Sequence, residues 1–225
     1  EFRTAADIDR DSAAAQWGLA RAYENLGQFS ETVEALRKTN ELAPDNLAAK
    51  VKLGNYYLLV QPPMVGETEK ILEEVFAKDP NFIEGRILKA SVFAVQMKPE
   101  TEVLKVLDDA IALDEKRTDS YISKARYFMK IEKAKESEET IKKAISANPN
   151  AAAGYVEYGR FLDFADRSNE SEAQFRKAIE VEPKNIESRE AIADFFTSEK
   201  QYDKAEQIHR ELVELQENSP ESRLA

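Results

Sequence analysis

Four prolines stand on a nearly regular ruler: Pro44, Pro80, Pro149 and Pro183, separated by 36, 69 and 34 residues. The long gap is close to two short ones, and Glu115 stands near its middle, where a further proline would fall. Glu217 continues the series 34 residues beyond Pro183. A chain that restarts its pattern about every 34 residues is built from helical hairpins, each packed only on its neighbours. That constraint replaces one central core with an array, and it moves the functional question from catalysis to binding.

Aligning on the ruler divides the chain into six full repeats: 13–46, 47–82, 83–117, 118–151, 152–185 and 186–219. In the first, Trp17, Leu19, Ala20, Tyr23 and Leu26 recur at helical spacing. Gly27 then breaks the helix as a C-terminal cap, and a second stripe follows in Phe29, Val33, Leu36 and Leu42. Pro44 ends it, since proline lacks an amide donor and disfavours helix in the residue before it. Seven glycines and eight prolines in 225 residues suit such helices.

The same positions recur down the chain. A small residue in the first (A) helix of each repeat, Gly54, Ala90, Ala125, Gly159 or Ala193, is followed three positions later by Tyr57, Phe93, Phe128, Leu162 or Phe196. The second (B) helices carry Leu36, Leu72, Leu107, Ile141 and Phe175, then Ala110, Ala144 and Ala178. These repeats resemble tetratricopeptide repeats over nearly the whole chain. The resemblance implies an all-α fold, a right-handed superhelical solenoid of antiparallel helix pairs forming one continuous domain. The small residues mark close approach of A to B helices, and the aromatic ones fill the space between.

Three departures stand out. Repeat two carries "LVQPPMVGE" between its helices, two residues longer than the standard turn. Repeat three has "QMKPE", one residue longer, and lacks the final proline; repeat six lacks it too. At the ends, Phe2 and Ala5 place 1–12 as a partial helix of a preceding repeat, and 220–225 begins a further one, so a fragment of a longer array is expected.

Catalytic chemistry finds no support. The lone histidine, His209, falls on the inner stripe of the last B helix, and with no cysteine there is no zinc set and no nucleophile–base pair. Phosphate loops are absent, and acidic pairs such as Glu138-Glu139 and Asp108-Asp109 read as solvated helix faces. We therefore expect no enzyme, cofactor or metal. A net charge of −11 argues against nucleic acid, and no apolar run approaches a membrane span. Periplasm and cytoplasm both fit a chain without cysteine.

The resemblance implies that the A helices line a concave groove. Carried over repeat by repeat, its candidate wall comprises Trp17, Arg21, Val51, Asn55, Leu58, Leu59, Ile87, Val95, Arg126, Lys130, Arg160 and Phe164. Val51, Leu58, Leu59, Ile87 and Val95 make repeats two and three apolar, the same repeats whose spacing is irregular. Arg21, Arg126, Lys130 and Arg160 add positive charge to an acidic chain. The family's carboxylate clamp is not rebuilt, because Val51 stands where a lysine would precede Asn55, and Glu84, Leu88 and Lys89 supply no substitute. The expected function is a non-catalytic scaffold holding a partner segment with apolar anchors and acidic residues, by analogy in a bacterial envelope or export assembly. The alternatives are self-association through exposed repeat ends, or an accessory arm of a larger enzyme or secretion complex.

Overall fold

The computed structural model describes residues 12–217. Phe2, Ala5 and the segment 220–225, assigned above to flanking repeats, lie outside them. The fold class is the expected one: all-α, a solenoid of antiparallel helix pairs, with no strand among the described residues. The chain forms two compact halves divided after Leu113. The first contains α1 (Ala13–Asn25), α2 (Phe29–Leu42), α3 (Leu47–Leu59), α4 (Val65–Lys78), α5 (Ile83–Val95) and α6 (Glu100–Leu113). The second contains α7 (Thr118–Lys130), α8 (Ala134–Ala147), α9 (Ala152–Phe164), α10 (Ser168–Val181), α11 (Ile186–Ser198) and α12 (Tyr202–Glu217).

Helix ends follow local chemistry. Ser12, Asn46 and Asn185 each accept a hydrogen bond from the amide three residues on, satisfying a donor that the first turn leaves open. Five A–B turns close alike. Gly27, Met97, Glu132, Asp166 and Lys200 adopt positive φ between 54° and 67°. The next amide then bonds back five residues, as Gln28 does to Tyr23 and Arg167 to Leu162, both at 2.8 Å. The α3–α4 turn departs from this: it runs over 60–64, and Met64 N–H reaches back to the Tyr57 carbonyl at 2.9 Å. The insertions of repeats two and three thus lie wholly in turns, and helices resume in register after them.

Packing turns on the small A-helix residues. An added Cβ on Gly54 would stand 2.6 Å from Leu88 Cδ2, and one on Gly159 only 2.7 Å from the Phe175 ring. Each near-contact is possible because the side chain is missing. At the same crossing three B helices add a hydroxyl bond that the apolar pattern does not reveal. Ser137 donates to the Ala125 carbonyl and Ser171 to that of Gly159, each at 2.9 Å, while Thr68 reaches the Gly54 carbonyl at 3.4 Å. Around these crossings Leu36, Leu72, Leu107, Ile141 and Phe175 are buried. Aromatic packing continues in the second half, where Phe195 lies 5.6 Å from both Phe175 and Phe196.

His209 departs from expectation. Ala205, Ile208 and Leu212 form the buried stripe of α12, and His209, one helical step around from Ile208, is exposed.

A polar node fastens the second half. Glu138 on α8 accepts from the Tyr158 hydroxyl of α9 at 2.7 Å, from Lys142 at 2.8 Å and from Arg167, before α10, at 3.1 Å. Arg167 also forks onto Glu170 at 2.8 and 2.7 Å. The Lys142 bond is the largest influence on Glu138; Tyr158 and Arg167 add to it against the cost of burial. Its carboxyl is thereby held down at about 2, from an ordinary 4.5.

These contacts make the stability of the array testable. Gly159→Ala drives a methyl into a buried ring and should lower stability by roughly 1–3 kcal/mol. Gly66→Ala, with nothing within 4 Å of the new Cβ, should leave it unchanged or raise it by up to about 1 kcal/mol, read from urea midpoints. For Glu138, a depressed carboxyl stabilises the fold above its unfolded pKa, and that contribution disappears as pH falls from about 4.5 towards 2. Glu138→Gln should therefore flatten the acid limb of the melting temperature in this window, with a loss of roughly 1–2 kcal/mol at neutral pH.

Candidate partner-binding site

Counting from the small residue of each A helix gives the face its logic. In the first five repeats the residue three places before it is drawn into the core: Val51, Ile122 and Val156 are buried, Trp17 and Ile87 half-buried, whereas Glu190 of the sixth is exposed. Of the candidate residues one and five places after it, Arg21, Asn55, Leu59, Arg126, Lys130, Arg160 and Phe164 are exposed, and Val95 is half-buried. This overturns part of the expected groove wall. Val51, 5% exposed, packs with Leu72, Val75, Leu88 and Val92, with Leu58 half-buried against the same cluster. Trp17 packs on the cluster around Leu19 and Leu36, and Val95 is half-buried. Of the five apolar residues expected to line repeats two and three, only Leu59 stands clear, at 65% exposure. The irregular spacing of those repeats therefore does not mark an open apolar wall.

Eight of the twelve candidate residues fall in the first half and four in the second. In the first half, Arg21 and Asn55 are exposed, and no carboxylate among the described residues pairs with Arg21. Nearby, Glu24 binds Lys52 at 2.6 Å and accepts from the Tyr56 hydroxyl at 3.1 Å. Burial first, then Glu24, pushes that phenol up to about 12.

In the second half, α9 lies against α7 and α11, and charges run across the three helices. Arg126 of α7 donates from Nε at 2.9 Å and Nη2 at 2.6 Å to the two oxygens of Glu157 on α9. The Glu157 side chain is only 11% exposed. Arg160 reaches Glu187 on α11 at 3.3 Å and stands 4.0 Å from Glu157. Hydrogen bonding to Glu157 is the main influence raising the Arg126 pKa, against its burial. So Arg126 and Arg160 meet through an acidic residue that was not among the expected site residues. The available signal is sign alternation across helices one repeat apart: Arg126 to Glu157, Arg160 to Glu187. Lys130 and Phe164, at the same position on adjacent helices, are different. No carboxylate among the described residues pairs with Lys130, and Phe164 is 76% exposed.

Among the described residues no cluster of His, Asp and Glu is placed to hold a metal, and no helix is long and apolar enough to cross a membrane. The sequence model described as tetratricopeptide repeat matches residues 13–46, 118–151 and 152–185. The chain carries tetratricopeptide repeats. Its fold is similar to that of a thermophilic tetratricopeptide repeat protein from Thermus thermophilus, at 16% identity and a TM-score of 0.60, covering 83% of this chain and all of that one. It is also similar to a tetratricopeptide repeat protein of Parabacteroides merdae, at 14% identity and a TM-score of 0.50, covering 89% of this chain and 78% of that one. No match was found among curated protein sequences. At such identities the likeness is one of fold.

The paired arginine has a structural consequence. Arg126→Ala leaves the largely buried Glu157 carboxylate without its two hydrogen bonds and should cost roughly 1–3 kcal/mol. Adding Glu157→Gln should recover part of that loss, whereas Arg160→Ala, removing a more exposed contact, should cost under about 1 kcal/mol. A thermal-melt double-mutant cycle reads these differences directly.

Proposed function

We propose that this tetratricopeptide repeat protein is a non-catalytic scaffold that docks a segment of a partner protein, and that the A-helix face of its second half makes one such contact. Phe164 carries the reading. A large aromatic ring 76% exposed at a helix end gains about 2 kcal/mol or more when a partner covers it. Beside it in the repeat pattern, the unpaired Lys130 supplies a cation for a carboxylate. Arg126 and Arg160 already hold Glu157 and Glu187, so they shape and charge the floor while Lys130 receives the ligand. The matching segment carries an aromatic or aliphatic anchor with an acidic residue close to it.

A peptide library displayed on phage and panned against the whole chain tests this. Enriched peptides should share an apolar–acidic core, and calorimetry should show Phe164→Ala and Lys130→Ala weakening them at least about tenfold, or 1.4 kcal/mol. Peptides that bind both variants as tightly as the parent would remove this face from the function.

A further inference from the structure

The first half carries a second surface, on the edge formed by its A–B turns. Successive hairpins are tied together there. The Phe29 and Tyr56 rings lie 5.1 Å apart between the first and second, and Gln96 donates to Glu69 at 2.8 Å between the third and second. At each turn a large apolar side chain faces solvent: Leu26 at 69%, Leu59 at 65% and Met97 at 89% exposure. Phe164 is exposed at the position of Leu59, but at the left-handed position the turns of the second half provide an internal contrast. Where Met97 takes the left-handed position, they place Glu132, Asp166 and Lys200. Folding demands nothing apolar at such a position, since the side chain packs on nothing. A row of three is a patch rather than a scatter of single residues.

The rim of this row is acidic. The B helices of the first half open with Glu31 and Glu67, followed by Glu69, and with Glu102 in the third hairpin. Against them stand Lys98 and Lys70, and Lys70 is held by Glu67 at 3.0 Å. Neighbouring helices pack about 8–10 Å apart, so three hairpins offer a strip on the order of 20 Å long, the length of about 14 residues of helix. We infer that this edge docks a basic amphipathic helix of a partner protein. The apolar stripe of that helix lies along Leu26, Leu59 and Met97, and its lysines and arginines face Glu31, Glu69 and Glu102. The carboxylate rim repels an anionic bilayer or nucleic acid. This surface is independent of Phe164 and stands or falls separately from the A-helix contact of the second half.

The test uses two fluorescein-labelled 14-residue peptides with leucine on one helical face and either lysine or glutamate on the other. Anisotropy titrations against the whole chain should show the lysine peptide binding at least tenfold tighter than the glutamate peptide, with affinity falling as salt rises. Leu26→Ser/Met97→Ser and Glu31→Lys/Glu102→Lys should each weaken it at least tenfold, while Phe164→Ala leaves it unchanged. Circular dichroism confirms that the variants, altered only at exposed positions, remain folded. Equal binding of the two peptides, or full affinity in both double variants, overturns the proposal. So does concentration-dependent dimerisation of the peptide-free chain that Leu26→Ser/Met97→Ser abolishes, which would assign the edge to a second copy.

Discussion

Close approach of backbone to side chain at Gly54 and Gly159 is the constraint from which the rest of this structure follows. Where the A helix carries no Cβ, a leucine or phenylalanine closes within van der Waals reach of its backbone. At these same glycines Thr68 and Ser171 of the following B helices bond the A-helix carbonyls. The close approach also fixes the rotation of each A helix. With the small residue turned inward, the residue three before it is buried or half-buried in the first five repeats, and those one and five after it are exposed in every repeat but the third. The proposed binding face is thus set by packing geometry before any partner is considered.

Much of the fold was legible because it repeats. One hairpin's pattern is weak evidence, but prolines, small residues and aromatics recurring in register leave few alternatives. The inserted residues were readable too, since an insertion that preserves helical register must sit in a turn. The site was legible only in part. Resemblance supplied positions, yet Val51 and Ile87 occupy rotational settings that packing claims for the core, and hydrophobicity alone does not say on which side of that boundary a residue lies. His209 failed for the same reason, one residue beyond Ile208 on a helix that turns by about 100° per residue. Glu157 was missed because its meaning depends on a partner in the preceding repeat.

Two kinds of polar interaction serve different ends. The Glu138 node joins α8, α9 and the start of α10, and its charges are consumed in fastening those elements. Exposed pairs such as Lys70–Glu67 and Arg210–Glu206 stay within one helix and contribute little. Of the four candidate cations on the A helices, Arg126 and Arg160 are paired, while Arg21 and Lys130 have no carboxylate partner among the described residues.

The Arg126–Glu157 fork gives the second half an electrostatic memory. An incoming acidic group that engaged Arg126 would exchange one carboxylate for another, so the count of ion pairs would not change. Added salt screens the internal and the intermolecular pair alike. Contacts routed through Arg126 would respond weakly to ionic strength, while those through Lys130 would carry the whole electrolyte sensitivity of the complex. Two positions one turn apart on α7, one holding a paired cation and the other a cation with no carboxylate partner among the described residues, thereby separate how strongly a ligand is held from how its hold depends on the medium.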